Sequence, residues 1–323
     1  MYRVLVTDTD MPSFEIEEEV LRPVGAEVHL SPSGDEKTLV EEAGTADAIM
    51  VGYVPVREPV IAAAARHGCR AIVRYGIGYD NVDVAAADRY GIPFANVPDY
   101  CQDEVADHTM ALLLAYARKL PDAMRSVREG GWEIPKGQVP RIQNQQLGLI
   151  GFGRIGRRVA TRALAFGLEV HAFDPVAPVD VPAVQVARSV ADVFETADYV
   201  SLHLPLTDKT RHVVDRTALK AARRKPVLIN TARGGLVDLD AVMEALDTGL
   251  LSGVALDVFE TEPLPGDHQL RNHPAAVITP HMSYYSNDSE PDLIRRVAQE
   301  VARGLRGEPL LNPLTKIRVA TRG

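Results

Sequence analysis

Short apolar runs alternate with helical stretches along this chain, and the rhythm occurs twice. Residues 3–8 (RVLVTD), 48–51 (AIMV), 71–74 (AIVR) and 93–96 (PFAN) read as strands, with helical stretches between them such as the alanine-rich 58–67. That alternation predicts a parallel sheet flanked by helices. A second series runs from 147 to 280, with strands near 198–202, 227–230, 253–257 and 276–278 and a helix near 239–248. Between the two series, 103–120 (DEVADHTMALLLAYARKL) is the clearest helix, with acids in its first turn, basic residues in its last, and Pro121 as its stop. Its middle is apolar nearly all round, so it should be buried. Residues 128–146 carry few periodic apolar positions and the chain's one tryptophan, Trp132, and read as an extended excursion. A last long helix over 289–306 precedes a Pro- and Gly-containing tail.

The most informative stretch is 147–174, LGLIGFGRIGRRVATRALAFGLEVHAFD. An apolar run leads into Gly151, Gly153 and Gly156; a helix follows, then a second apolar run ending on Asp174. Strand, glycine turn, helix, strand and acid form a dinucleotide-binding unit in the setting it requires. Gly151 permits the tight turn, Gly153 lets the backbone approach a pyrophosphate, and Gly156 lets the helix pack on the strand. The amides at the helix start then face phosphate. Asp174 would accept hydrogen bonds from the adenosine ribose and repel the 2′-phosphate of NADP, so NAD is the expected cofactor.

Composition narrows the field. A chain of 323 residues suggests about two domains. A net charge of −9 argues against a nucleic-acid surface and makes any positive field local. No apolar run approaches the roughly 18–20 residues that span a bilayer. The start, MYRVLVTDTD, goes straight into a strand pattern without the core of a signal peptide, so a cytoplasmic setting is expected. Two cysteines, Cys69 and Cys101, exclude a disulfide framework and a cysteine-rich metal site, and no metal is expected.

Hydride transfer needs, beside the nicotinamide, a cation to hold the substrate, an acid/base for the hydroxyl proton, and a group that tunes it. Arg233 follows strand 227–230, Glu262 follows strand 253–257, and His281 follows strand 276–278. Ligands of open parallel sheets bind beyond the carboxyl ends of strands, so the three can converge. Arg233 would bind the carboxylate or carbonyl of a 2-oxo acid and stabilise the developing alkoxide. His281 would protonate that oxygen, and Glu262 would favour the imidazolium and fix its ring.

With these residues in place, the chain resembles the D-isomer-specific 2-hydroxyacid dehydrogenases along nearly its whole length. The resemblance rests on the glycine fingerprint, HLPLTDKT at 203–210, NTARGGLVD at 230–238, LDVFETEP at 256–263 and TPH at 279–281. It implies two doubly wound α/β domains: a Rossmann NAD-binding domain, 101–281, inserted into a flavodoxin-like substrate domain, 1–100 and 282–323. It also implies a homodimer held mainly through the nucleotide domains. By position, Arg233, Glu262 and His281 become the catalytic three. Thr231, Ala232 and Asp257 would line the nicotinamide side, Leu204 and Pro205 after His203 would pack along the cofactor, and Arg154 and Ile155 would bind pyrophosphate through their amides. The turn Gly76-Ile77-Gly78 resembles the family's carboxylate-binding loop.

Within the family, IVRYGIGYDNVD at 72–83 and PDYCQDEVADH at 98–108 look most like the branch of the C-terminal-binding proteins, in which an arginine at the position of Arg74 touches substrate. Tyr284 stands where the animal corepressors carry tryptophan, so a metabolic enzyme is favoured over an NADH-responsive protein-binding scaffold. Phosphoglycerate, hydroxypyruvate and glyoxylate reduction are alternatives, although no regulatory domain is seen after residue 323. Glu262 in place of glutamine argues against formate dehydrogenase. Tyr53, Tyr75, Tyr79 and Tyr284 fall on segments expected near the pocket, Tyr53 and Tyr284 at substrate-contacting positions. With Arg74 as the one nearby base, they favour an apolar or thioether 2-oxo acid over a phosphorylated one.

Overall fold

The computed structural model describes residues 1–11, 13–134 and 139–316; residues 135–138 of the expected excursion and 317–323 of the tail lie outside them. The chain forms two compact units, one of Met1–Tyr100 with the chain from Ser286 onward, the other of Cys101–Tyr285. The second crossing falls after Tyr285 rather than after His281, which leaves Tyr284 in the unit that carries His281.

The first unit holds five parallel strands: β1 (Tyr2–Val6), β2 (Ala26–Leu30), β3 (Ala48–Val51), β4 (Ile72–Arg74) and β5 (Phe94–Ala95), in the order β2-β1-β3-β4-β5. This is the flavodoxin-like order. Central β3 is buried along its length, as the unbroken run AIMV requires of a strand covered on both faces. The edge strand β2 was not anticipated; its sequence AEVHL buries fully only Ala26, too faint an apolar signal to read. One face of the sheet is covered by helix Ser289–Arg306 through Leu293, Val297, Val301 and Leu305. Burial of each such side chain is worth roughly 1.5–3 kcal/mol, so this helix anchors the returning chain. Gly304 leaves no room for a Cβ against that of Ala71, and the chain beyond it pairs Ala95 with Pro313 at the sheet edge.

The second unit holds seven parallel strands: β6 (Gln146–Ile150), β7 (Glu169–Phe173), β8 (Val184–Val186), β9 (Tyr199–Leu202), β10 (Val227–Asn230), β11 (Gly253–Leu256) and β12 (Ala276–Ile278). Their order, β12-β11-β10-β9-β6-β7-β8, reverses direction between β6 and β9, the switch point at which such sheets bind dinucleotides. Helix Gln102–Ala117 packs on helix Arg154–Ala165 and across β10, β11 and β12. Arg162 reinforces the helix pair by bonding Asp107 at 2.6 Å and Asp103 at 3.0 Å.

That helix ends at Ala117, short of the expected 120, and Pro121 opens a second helix, Leu120–Arg128. Proline lacks an amide and its ring clashes with the carbonyl four residues back, which stops the first helix; in a first turn it costs nothing. Lys119, at φ 54°, makes the corner. The second helix buries none of its residues; Leu120, Met124 and Val127 are exposed along it, as are Trp132 and Ile134 just after it.

Candidate active site

The glycine turn after β6 is shaped by contacts on every side. Gly151 sits at φ 103°, and a Cβ there would lie 2.5 Å from the carbonyl carbon of His203. A Cβ on Gly156 would strike the Gly151 carbonyl, so both glycines are fixed by close packing of turn, helix and β9 loop. A Cβ on Gly153 would meet nothing within 4 Å. Gly153 is also the N-cap of helix Arg154–Ala165 and supplies no side chain to its first amides, those of Arg154 and Ile155 among them. Open space above unpaired helix amides fits a pyrophosphate.

Asp174, at the end of β7, accepts from the amides of Phe152 at 2.7 Å, Val176 at 2.8 Å and Ala177 at 2.7 Å. The acid thus pins the glycine turn to the β7 loop, a task its sequence position did not reveal. A carboxylate has about four lone-pair sites, so roughly one remains for a ribose hydroxyl. Arg157, early in the helix, is engaged by Asp180 and by the Pro178 carbonyl.

After β9, the His203 amide bonds the Ile150 carbonyl at 2.7 Å, which holds the 203–205 segment beside the glycine turn. The His203 ring faces Ser201 at 3.0 Å, and burial pushes its imidazole down to about 3, so it is neutral. Leu204 is buried, whereas Pro205 is exposed.

The loop after β10 is folded by Asn230, a residue that the sequence reading passed over. Its buried amide accepts from Ala232 N at 3.0 Å and donates to Arg233 O at 2.8 Å. Thr231 is buried and pairs with Thr109 at 2.9 Å. Arg233 is half-buried, with Nη1 donating to the Ala232 carbonyl at 2.8 Å. Gly234 has no room for a Cβ against the backbone of Phe259 and Glu260, so the Arg233 loop lies directly on the loop that carries Glu262.

Glu262 is held by both oxygens. Oε1 accepts from Phe259 N at 2.7 Å, and Oε2 meets His281 Nδ1 at 2.6 Å. Both side chains stay partly open, His281 at 27% and Glu262 at 33% exposure. An imidazole bonded through Nδ1 to a carboxylate presents Nε2 outward, as an acid/base must. His281 adopts φ 51°, and the Tyr284 ring meets its edge at 6.3 Å between centroids. Asp257, whose position suggested a nicotinamide contact, is fully buried and turns its carboxylate toward Thr279, Met282 and Ser283.

In the first unit, the turn after β4 is fixed by its neighbours. Gly76 sits at φ 127°, and Arg74, bonded to the Tyr75 carbonyl, lays its guanidinium where a Cβ of Gly76 would be. Asn96 takes the Ile77 carbonyl at 2.6 Å, and Val97 N takes that of Gly76 at 3.2 Å. With the carbonyls turned inward, the amides of Ile77 and Gly78 find no acceptor among the described residues. Amides and a guanidinium are groups that can hold a carboxylate.

Of the four tyrosines, Tyr53 is half exposed, and its amide is held by Asp8 at 2.8 Å. Asn81 clamps the Gly52 and Val54 carbonyls of the same loop at 3.0 and 3.1 Å. Tyr79 sets its ring edge against Phe94. Tyr75 is a core residue: it is buried, with its hydroxyl on Glu17 at 2.9 Å.

Residues 110–283 match the family model described as D-isomer specific 2-hydroxyacid dehydrogenase, NAD binding domain. The chain belongs to the D-isomer specific 2-hydroxyacid dehydrogenases. Among relatives of this chain, the D-3-phosphoglycerate dehydrogenase of Methanocaldococcus jannaschii is 36% identical over 312 residues, 95% of this chain and 58% of the relative. The glyoxylate reductase of Korarchaeum cryptofilum is 34% identical over 280 residues, 84% of each chain. A solved structure from Thermus thermophilus aligns with TM-score 0.86 and 36% identity, covering 97% of this chain and 100% of that one. The chain spans about half the length of the phosphoglycerate dehydrogenases it matches. No helix among the described residues is long and apolar enough to cross a membrane.

Proposed function

We propose that this family member is an NAD-dependent D-2-hydroxyacid dehydrogenase that reduces 2-oxo acids reversibly, with Arg233 binding substrate, His281 as acid/base and Glu262 as its partner. The observation that carries the reading is the Glu262–His281 contact at 2.6 Å on a loop against which the Arg233 loop is packed. A nicotinamide dinucleotide held by its pyrophosphate at the glycine turn would supply or accept the hydride. Arg233 holds the 2-oxo acid and stabilises negative charge on its carbonyl oxygen. His281 gives that oxygen a proton from Nε2, and Glu262, on Nδ1, keeps the ring oriented. Within the first unit, the turn Gly76-Ile77-Gly78 with Arg74 is assigned to binding a carboxylate.

The test is NADH oxidation against glyoxylate, hydroxypyruvate, its phosphorylated form, pyruvate, phenylpyruvate and branched 2-oxo acids. Larger apolar acids are expected to give the highest kcat/KM. A preference for glyoxylate or the phosphorylated acid would favour the reductase and phosphoglycerate dehydrogenase alternatives. NADH binding without turnover on any acid would favour a protein-binding scaffold.

Asp174 is assigned to the adenosine ribose, where its carboxylate would repel a 2′-phosphate, and Arg157 is already engaged. NADH is therefore expected to be preferred over NADPH by about 2 kcal/mol or more, roughly thirtyfold in kcat/KM. Equal kcat/KM for the two coenzymes would show that the remaining Asp174 lone pair does not face the ribose.

A homodimer is part of the same proposal. The exposed apolar face of helix Leu120–Arg128, continued by Trp132 and Ile134, supports it, because such faces on a stable fold call for a partner. Sedimentation at micromolar concentration should give a dimer, and Met124→Glu with Trp132→Ser should give monomers. A wild-type monomer would remove this part. A cytoplasmic setting belongs to the same proposal.

A further inference from the structure

Asp257 holds the backbone around His281 with a single buried carboxylate. Its Oδ1 accepts from the Thr279 hydroxyl at 2.6 Å and from Met282 N at 3.0 Å, and its Oδ2 accepts from Ser283 N at 2.9 Å. Its carbonyl accepts from His281 N at 2.8 Å. Burial alone would raise this carboxyl, but the hydrogen bonds from Thr279, Met282 and Ser283 outweigh it and keep it below the usual carboxylate range, hence ionised. The need for such a hold is visible at His281, whose φ of 51° is a conformation that a non-glycine residue keeps only where its surroundings impose it.

The hold extends one element further. His108, on helix Gln102–Ala117, places Nε2 at 3.1 Å from the Thr279 hydroxyl and 3.6 Å from Asp257 Oδ1. Thr279 has one proton, and an ionised carboxylate can only accept, so that proton goes to Asp257. The hydroxyl oxygen must then accept from His108, which therefore carries its proton on Nε2. The same logic runs through the next residue. Thr109 donates to the Val105 carbonyl at 2.8 Å, so at 2.9 Å it accepts from the hydroxyl of Thr231, which stands two residues before Arg233.

We infer that His108 and Thr279 are positioning residues for the reaction. The chain in which His108 Nε2–H donates to the Thr279 hydroxyl, and that hydroxyl and the amides of Met282 and Ser283 donate to Asp257, sets the backbone that aims His281. The inference rests on His281 being the acid/base. It assigns to one face of an apolar helix a part in the chemistry that neither its periodicity nor its distance along the chain discloses.

The experiment compares paired variants of the full chain in 2-oxo-acid reduction, reading kcat, KM, NADH Kd by fluorescence and Tm. Thr279→Val keeps the side-chain shape and deletes the link, and His108→Leu deletes the donor. Each is expected to lower kcat about 10- to 100-fold, the scale of a misplaced reacting group, while NADH Kd stays within about twofold. Thr279→Ser restores a hydroxyl, and His108→Gln restores an N–H near the place of Nε2–H; both should recover most of the lost kcat. If Thr279→Val is recovered unfolded, the His108 pair decides the question. The inference is overturned if the Val and Leu variants turn over like wild type, or if Ser and Gln are as impaired as Val and Leu, because packing would then be the cause. His281→Asn run alongside separates the two levels: wild-type turnover there would remove the acid/base reading itself.

Discussion

Arg233→Ala is expected to lower kcat/KM for 2-oxo-acid reduction by about three orders of magnitude or more, with little change in NADH affinity. Loss of a single preorganised donor at a developing oxyanion typically costs about 10²–10³ in rate, and here substrate binding is lost with it. The side chain stands at the end of β10 in a turn folded by both ends of the Asn230 amide, so the truncation leaves the loop's own hydrogen bonds in place. Steady-state kinetics with a direct NADH titration separates the two effects. Near-normal turnover would take Arg233 out of the reaction.

His281→Asn is expected to reduce kcat by about 10²–10⁴, the usual contribution of a positioned general acid. Asparagine tolerates the left-handed backbone that His281 adopts, so the variant should fold as wild type. It cannot supply the proton at Nε2. The loss should appear in kcat, with the 2-oxo acid still bound through Arg233. A loss confined to KM would assign His281 to substrate binding only.

The parts of this architecture that were legible in the sequence are those written in local chemistry. The run into Gly151, Gly153 and Gly156 and the acid after β7 report a turn, a helix start and a second strand within one short stretch. Arg233, Glu262 and His281 could be picked out because each follows an apolar strand run. Edge strands β2 and β8 were missed because β2 buries fully only Ala26 and β8 only Val184, so the alternation that marks a strand is diluted. The break at Lys119 was misread because Pro121 both ends one helix and opens the next.

Apart from the Glu262–His281 pair, the hydrogen-bonding partners of the site were not legible. Asp257 reads as one more acid before VFETEP, yet its bonds run to residues 22–26 positions away. His108 meets Thr279 across 171 positions. Tyr75 adjoins the carboxylate loop in sequence, but its side chain leaves that loop for the core and Glu17. Spacing places a residue near a strand end; only the packed structure decides which way its polar atoms turn.

The central claim concerns the reaction itself, so the decisive measurement is chiral analysis of the product formed from NADH and a 2-oxo acid by the purified chain, beside His281→Asn. The account expects the D-2-hydroxy acid from the wild type, in amounts equal to the NADH consumed, and at least about 10²-fold less from the variant. An L-product, or NADH bound with no acid reduced, would contradict it.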